Sequence, residues 1–349
     1  MICYTVQMTI VIIAGGQGTR LWPLSRPDQP KHLLSLINED SLLQNTISRV
    51  ESLTNSIYIV PEASHVEDVK KQLPKYKNNV ITEPTRKGTA HCILFALAKL
   101  KKIILKDEVI VFLHADHHIG DIESFKETVE ATVKASKEMN KITLIGVAPD
   151  YPATGFGYIK TGKEVTNEDG LPILSVEKFV EKPDAKTART YFKSKKYLWN
   201  LGLFAGSINT FESEIKKSNK DLWKRYNQLF KKDAIEQYMK FPNEPIDTAL
   251  IEKVKDLIVV PGHFDWADVG SFKDLYEILR NGETNVHKGE VYDIDSKESL
   301  VIADKKPIVT IGLDNMIVID TDEGILICPK DKCQLVKNGV EKLKENKKS

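Results

Sequence analysis

Short runs of β-branched residues alternate with amphipathic stretches over the first 150 residues of the chain. The β-branched runs are strongly apolar and predict buried strands at residues 9–14, 57–60, 109–113 and 142–147. The stretches between them predict helices at residues 41–53, 89–102 and 124–139. This alternation is typical of βαβ units around a mainly parallel sheet, in which ligands bind at the edge where the strands end.

The pattern changes in the second half of the chain. Residues 153–281 are less regular and include an apolar strand at 257–260. Beyond residue 285, short β-rich pieces are separated by Asp, Lys and Gly turns about every ten residues, and the last residues are polar and rich in Lys. We therefore predict an α/β domain over residues 1–284 and a small β-rich domain with a polar helical end over 285–349.

Composition narrows the function classes. The 349 residues carry 50 Lys and Arg against 49 Asp and Glu, so the formal charge is +1 and a sequence-independent nucleic-acid binder is disfavoured. No apolar run approaches the roughly 20 residues of a membrane span, and the start of the chain does not resemble a secretory signal. The cysteines are scattered and predict reduced, non-catalytic thiols in a cytoplasmic protein without membrane partners. They are Cys3, Cys92, Cys328 and Cys333.

A glycine-rich segment directly follows the first predicted strand. Gly15, Gly16 and Gly18 fall within four positions, so backbone N–H groups can approach a ligand without obstruction by Cβ atoms. Arg20 and Lys31 follow in a chain that has no overall positive excess, which favours a polyphosphate ligand over a plain turn. The segment matches neither the nucleoside-triphosphatase loop nor the dinucleotide fingerprint.

Candidate metal ligands follow the strand at 109–113. His114, Asp116, His117 and His118 stand at the predicted ligand edge of the sheet. Neighbouring residues of an extended chain point to opposite faces, so at most two of the imidazoles could join Asp116 at one ion. Zinc is one reading, but Mg²⁺ suits a polyphosphate better because it is held by one or two carboxylates together with phosphate oxygens and water.

A second carboxylate must then come from a distant segment, and Asp268 is the candidate. It precedes a predicted helix at 272–279. Ser271 and Asp274 can form a capping box at the start of this helix, so the alternative is that Asp268 only shapes the turn.

Eight segments together resemble a known family. They are GGQGTRLWPLSR with PK (15–31), EPTRKGTA (83–90), HADHHI (114–119), GFGYI (155–159), FVEKPD (179–184), WNLGLF (199–204), PIDTALIEK (245–253) and DWADVGSF (265–272). In this order they resemble the nucleoside-diphosphate-sugar pyrophosphorylases, and within them the mannose-1-phosphate guanylyltransferases. The resemblance implies a Rossmann-like nucleotidyltransferase domain with a mainly parallel, mixed sheet, and a C-terminal domain similar to a short left-handed β-helix.

The resemblance also implies a reaction and its residues. A sugar 1-phosphate oxygen attacks the α-phosphorus of a nucleoside triphosphate and pyrophosphate leaves, so the protein must align two anions and neutralise charge. The implied catalytic residues are Arg20, Lys31, Asp116, Lys182 and Asp268. Asp116 and Asp268 would hold Mg²⁺. The implied nucleotide-binding residues are Ala14, Gly15, Gly16, Gly18, Thr19, Arg20, Glu83, Pro84, Gly88, Thr89, Ala90 and Asp116.

Glu83 bears on the choice of base. Guanine presents two N–H donors on one edge, and a carboxylate offers two facing acceptors. Similar thymidylyl and uridylyl enzymes carry a glutamine at the comparable place, so Glu83 favours guanine. The alternative is that Glu83, before Pro84, is a surface turn residue.

The resemblance also implies that four residues bind the sugar phosphate. They are Gly157, Glu181, Lys182 and Asn200. We expect the formation of GDP-mannose and pyrophosphate from GTP and mannose 1-phosphate, by a homodimer joined through the C-terminal domain. Alternatives are another sugar 1-phosphate such as a heptose, another base, or a non-catalytic nucleotide-sugar-binding regulatory subunit. We expect no phosphomannose isomerase activity, and a template-directed polymerase is disfavoured by the neutral charge.

Overall fold

The computed structural model describes residues 7–16 and 18–346 of the chain, which leaves Cys3 and Gln17 outside the described part. The described residues form two compact units. The first contains residues 7–15, 47–115 and 119–265, and the second contains the described residues of 16–46, 116–118 and 266–346. Among these residues, no helix has the length and apolar character needed to cross a membrane.

The strands and helices are numbered along the chain. The strands are β1 (Met8–Ala14), β2 (Ile57–Pro61), β3 (Val109–His114), β4 (His117–Ile119), β5 (Thr143–Val147), β6 (Gly157–Glu168), β7 (Leu171–Val180), β8 (Tyr197–Ser207), β9 (Ile258–Gly262), β10 (Trp266–Asp268), β11 (Val286–Lys288), β12 (Val291–Ile294), β13 (Leu300–Ile302), β14 (Ile308–Ile311), β15 (Met316–Thr321) and β16 (Gly324–Pro329). The helices are α1 (Leu42–Val50), α2 (Val66–Gln72), α3 (Gly88–Leu100), α4 (Ile122–Met139), α5 (Ala185–Ser194), α6 (Ile208–Ser218), α7 (Lys220–Gln228), α8 (Ala234–Met239), α9 (Ile246–Ala249), α10 (Phe272–Leu279) and α11 (Val336–Asn346). Short 3-10 turns lie at Thr19–Leu21, Lys31–Leu33, Ala63–His65, Pro74–Tyr76, Ile251–Lys253 and Lys330–Leu335.

The first unit is built on an eight-stranded sheet with the order β2-β1-β3-β8-β5-β9-β7-β6. Its mixed character is confirmed, but the prediction of a mainly parallel sheet is wrong. The parallel pairings are β1 with β2, β1 with β3, and β5 with β9. The remaining pairings, including β8 with both β3 and β5, are antiparallel.

Two local features explain why so many strand pairings of this sheet are antiparallel. Strand β8 enters the middle of the sheet and runs antiparallel to the three strands that it pairs with, β3, β5 and β6. Strands β6 and β7 form a hairpin whose turn residues, Asp169 and Gly170, have φ angles of 51° and 92°. Two positive φ angles at an Asp-Gly pair are typical of a tight hairpin turn, which joins antiparallel strands.

The elements predicted from hydrophobic periodicity are confirmed in the first half of the chain. All residues of β1 are buried, as expected for a strand of β-branched residues inside a sheet that is covered on both faces. Helix α4 begins where the Asp121 carboxylate accepts a hydrogen bond from the Ser124 amide at 3.0 Å. The short helix α2 was not predicted.

The second unit contains the short strands of the C-terminal part of the chain. Strands β11, β13 and β15 pair in parallel, β12 pairs in parallel with β14, and β16 closes the larger sheet antiparallel to β15. Parallel stacking of short successive strands is typical of a β-helix. The same compact unit also contains residues 16–46, so it extends beyond the β-rich pieces. The domain boundary at residues 284 and 285 and the left hand of the coil stay predictions.

Candidate active site

The glycine-rich loop leaves the end of β1 in a conformation that requires glycine. Gly16 and Gly18 have φ angles of 99° and 57°. A Cβ atom on Gly18 would lie 2.5 Å from Ser25 Oγ and 2.9 Å from Lys31 Cβ, so a side chain does not fit there. At Gly16 nothing lies within 4 Å of an added Cβ, so this part of the backbone is open to a ligand. Of the other predicted loop residues, Ala14 is buried, and Gly15 and Thr19 are half-buried.

Arg20 is exposed within the 3-10 turn that follows the loop. Its Nη1 atom donates a hydrogen bond to Gln334 Oε1 at 3.2 Å. A Cβ atom on Gly270 would lie 3.6 Å from the same nitrogen. Gln334 was not predicted, and no local sequence signal could reveal it because it lies 314 positions from Arg20.

Lys31 joins the two predicted metal ligands. Its ammonium nitrogen lies 2.7 Å from Asp116 Oδ2 and 3.3 Å from Asp268 Oδ1, and it donates to the Val269 carbonyl at 3.2 Å. Burial opposes the charged form of this lysine, but the two carboxylates outweigh it and raise the pKa of Lys31 above its ordinary value. Lys31 is therefore a cation at neutral pH, and Asp116 and Asp268 lie on either side of it.

The same cluster fits a divalent cation. One ligand atom each from Asp116, His117 and Asp268 lies within 4.8 Å of the others. Two carboxylates against one ammonium leave net negative charge, and carboxylate oxygens are the ligands that Mg²⁺ prefers. A single imidazole with oxygen ligands resembles a zinc site less closely. The predicted convergence of at most two histidines is consistent with this group, which contains His117 alone among the described histidines.

Asp268 ends β10 and is not part of the cap of the next helix. The cap of α10 is Ser271, whose hydroxyl accepts from the Asp274 amide at 3.5 Å and donates to Asp274 Oδ2 at 2.8 Å. The capping box predicted from the sequence is thus present. It does not involve the Asp268 carboxylate, which contacts Lys31 instead.

Glu83 lies in the first unit and is only 3% exposed, so the alternative reading of a surface turn residue is wrong. Its Oε1 atom accepts hydrogen bonds from the Tyr238 hydroxyl at 2.6 Å and from the Lys87 amide at 3.3 Å. Burial raises the pKa of Glu83, and these hydrogen bonds oppose the rise only in part. Tyr238, from α8, was missed because it lies 155 positions away in the chain.

The segment after Glu83 packs closely against another part of the same unit. Gly88 has a φ angle of 81°, and a Cβ atom there would lie 2.3 Å from the Glu244 carbonyl oxygen. The Ala90 amide donates to the same carbonyl at 3.1 Å, and Thr89 Oγ1 accepts from the Ile246 amide at 2.9 Å. Residues 88–90 therefore make contacts within the protein itself, and their contact with the nucleotide stays a prediction. Pro84 is half-buried.

The four predicted sugar-side residues come together in the first unit. Gly157 of β6 lies opposite Asn200 of β8. A Cβ atom on Gly157 would lie 2.6 Å from Glu181 Oε2 and 3.2 Å from Asn200 Cβ. Glu181 Oε1 in turn lies 2.8 Å from the ammonium of Lys182, a residue with a φ angle of 45° and a mostly exposed side chain. The strands thus assemble one polar cluster from distant positions.

A second carboxylate joins this cluster. Asn200 Nδ2 donates to Asp247 Oδ1 at 2.8 Å. Burial raises the pKa of both Glu181 and Asp247, and the Asp247 charge adds to the rise at Glu181. The charge of His114 opposes the rise at Asp247. Asp247 was not predicted as a site residue, although it lies inside a quoted motif, and His114 was named only as a candidate metal ligand. Paired buried carboxylates with raised pKa values are common where polar ligands bind.

A glycine-rich loop that is open to a ligand and a lysine in contact with two carboxylates are features expected of enzymes that act on phosphorylated ligands. The Nucleotidyl transferase family profile matches residues 9–285, and the MannoseP isomerase/GMP-like beta-helix domain profile matches residues 289–343. The chain belongs to the nucleotidyl transferase family, with a C-terminal β-helix domain, and it is a sugar-1-phosphate nucleotidyltransferase.

Individual relatives agree with this assignment. The chain is 33% identical over 348 residues to a mannose-1-phosphate guanylyltransferase of Escherichia coli. The aligned region covers 95% of this chain and 75% of the relative. A protein of the same name from Klebsiella pneumoniae is 34% identical, with 97% and 74% covered. A solved structure described as mannose-1-phosphate geranyltransferase from Thermus thermophilus superposes with a TM-score of 0.86 at 28% identity, with 97% and 99% of the chains covered.

Proposed function

We propose that this enzyme forms GDP-mannose and pyrophosphate from GTP and α-D-mannose 1-phosphate. The observation that carries the proposal is the buried carboxylate of Glu83, because a fixed carboxylate matches the two donors on the guanine edge. The choice of mannose 1-phosphate is supported by the names of relatives that match almost the whole chain.

The charged residues around Lys31 act on the reacting phosphates. In this proposal a phosphate oxygen of the sugar phosphate forms a bond to the α-phosphorus of GTP, and the bond from that phosphorus to the pyrophosphate oxygen breaks. Arg20 and Lys31 offset the charge on the reacting phosphates. Asp116 and Asp268 would hold Mg²⁺, which supplies further positive charge for the phosphate oxygens.

The base is read by Glu83 and held by its neighbours. The hydrogen bond from Tyr238 fixes the carboxylate. In this proposal its remaining acceptor capacity receives the N1–H and N2–H groups of guanine. Pro84, Gly88, Thr89 and Ala90 continue the nucleotide site in this proposal.

The sugar phosphate is held by the cluster around Gly157. Glu181 and Asn200 accept or donate hydrogen bonds with sugar hydroxyls, and Lys182 attracts the sugar phosphate. The absence of a side chain at Gly157 leaves space beside Glu181 Oε2, where an added Cβ would lie only 2.6 Å away. The mostly exposed ammonium of Lys182 is accessible to an incoming anion.

The experiment is pyrophosphate release from purified protein with Mg²⁺, in which GTP, ATP, UTP and dTTP are each combined with mannose, glucose and heptose 1-phosphates. Preference for GTP with mannose 1-phosphate supports both specificity assignments. Preference for another pair, such as GTP with the heptose phosphate, overturns the substrate assignment and keeps the reaction class. A metal chelator should abolish turnover, and full activity in its presence would contradict the Mg²⁺ assignment.

We also propose a homodimer joined through the C-terminal strands. Tyr292 and Ile294 of β12 lie opposite Val309 and Ile311 of β14, and all four side chains are more than half exposed. A contiguous exposed apolar patch of this kind often marks a protein interface. We place the reaction in the cytoplasm, because both substrates are highly charged and costly to transfer across a membrane.

A further inference from the structure

Two cysteines of the second unit form a thiol pair. Cys328 lies on β16 and Cys333 in the 3-10 turn Lys330–Leu335, and their side chains hydrogen-bond to each other. Both pack into the apolar cluster of this unit, Cys333 almost fully buried and Cys328 half-buried. Because the two thiols already hydrogen-bond to each other, a disulfide between them would not have to bring distant segments together.

The pair is reachable from solvent on the Cys328 side. Cys328 lines an open cavity of about 440 Å³ together with Trp22, Leu326 and Leu335. The hydrogen bond with Cys333 lowers the pKa of the Cys328 thiol, whereas the same contact and burial raise the pKa of Cys333. Cys328 is also the more exposed of the two thiols, so it is the one that an external oxidant meets first.

The residue after Cys333 contacts the catalytic arginine of the proposed function. Gln334 Oε1 accepts the hydrogen bond from Arg20 Nη1 at 3.2 Å. Any displacement of Cys333 along its turn moves the backbone of Gln334 as well. The state of the thiol pair is thus coupled through one residue to the position of the Arg20 guanidinium.

We propose that Cys328 and Cys333 are a redox-sensitive pair whose oxidation to a disulfide displaces Gln334 and lowers turnover by misplacing Arg20. This regulation depends on the role given to Arg20 in the proposed function. With a low-molecular-weight disulfide such as oxidised glutathione, the Cys328 thiolate attacks one sulfur and releases one glutathione thiol. The Cys333 thiolate then attacks the Cys328 sulfur and releases the second, so two protein thiols are oxidised and one glutathione disulfide is reduced.

The test compares reduced protein with protein incubated with oxidised glutathione. We expect mass spectrometry of the digested protein to show a Cys328–Cys333 disulfide, and kcat to fall about 10- to 100-fold. KM should change much less, and dithiothreitol should restore kcat. Cys328→Ser and Cys333→Ser should each keep basal turnover and lose the response to oxidised glutathione, and Cys3→Ser should keep the response.

Gln334→Ala tests the link to Arg20. In this variant kcat should be low already in the reduced protein, and disulfide formation should lower it no further. Failure of the native protein to form this disulfide, or a disulfide that leaves kcat unchanged in an active enzyme, overturns the inference. An inactive reduced protein that still forms the disulfide would instead count against the proposed function, so the two failures are distinguishable.

Discussion

Lys31 and Asp268 are 237 positions apart in the chain, yet the Lys31 ammonium lies 3.3 Å from the Asp268 carboxylate. Asp116 contacts the same nitrogen from the turn after β3, at 2.7 Å. Three short segments thus place one cation between two carboxylates. This arrangement keeps Lys31 charged and leaves the group with net negative charge, which is the electrostatic basis for its assignment to phosphate and Mg²⁺ chemistry.

The metal assignment predicts the behaviour of Asp268→Asn. The amide keeps the size of the side chain but removes a negative charge, so we expect kcat to fall about 100-fold or more. Binding of GDP-mannose, measured by calorimetry, should be retained. Asp265→Asn is the matched control, since Asp265 is exposed three positions earlier and lies outside the Lys31 cluster. Unchanged turnover in Asp268→Asn would remove this residue from the site.

Glu83 gives a prediction about pH and stability. Because burial raises the pKa of folded Glu83 above its ordinary value of 4.5, the folded state retains a proton between these two pKa values that the unfolded state has already released. The contribution of Glu83 to the free energy of unfolding therefore falls as pH rises from 4.5 through the raised pKa, and this loss persists at neutral pH. Glu83→Gln should abolish this dependence, so the variant gains stability relative to the native protein across that range.

The measurement is urea unfolding at a series of pH values. Glu127→Gln serves as the control for the substitution itself, since Glu127 is exposed on α4. In turnover assays Glu83→Gln should lose about 10- to 100-fold in kcat/KM for GTP, the magnitude of a hydrogen bond to a charged group. A parallel loss with UTP would argue against a role in base recognition.

Local pattern predicted the elements of this fold better than their pairing. The runs that become β1, β3 and β5 were found because buried β-branched segments are visible in a short window. The antiparallel insertion of β8 between β3 and β5 was not found, since strand order depends on contacts between distant segments. The Asp169-Gly170 hairpin turn is a local sequence signal for the antiparallel pairing of β6 with β7.

The same distinction applies to the site. Asp116 and Asp268 were predicted from charge at strand ends and from motif resemblance, and the structure brings them together around Lys31. Tyr238 was missed because its helix carries no motif and its contact with Glu83 arises only in the folded chain. Gln334 was missed for the same reason.

The apolar patch on β12 and β14 predicts the effect of Ile311→Lys. A lysine at this 68% exposed position opposite Ile294 would place charge inside an interface, so the homodimer should dissociate. Multi-angle light scattering across micromolar concentrations measures the change. Val165→Lys, at an exposed β-branched position on β6, should leave the mass unchanged. A native protein that is monomeric throughout would exclude the proposed dimer.

The GFGYI segment offers a matched pair of glycines for the sugar site. A Cβ atom on Gly157 would lie 2.6 Å from Glu181 Oε2, whereas nothing lies within 4 Å of a Cβ on Gly155. Gly157→Ala should therefore displace the Glu181 carboxylate. We expect KM for mannose 1-phosphate to rise about tenfold, as for the loss of one hydrogen bond to a charged group.

The KM for GTP should change little in Gly157→Ala, because the substitution acts on the sugar-side cluster alone. Gly155→Ala should match the native enzyme in both constants, which separates the steric effect at Glu181 from a general effect of alanine in this loop. Steady-state kinetics with each substrate varied in turn provides the measurement. Equal KM values for mannose 1-phosphate in the two variants would mean that Glu181 does not contact the hydroxyls of this substrate.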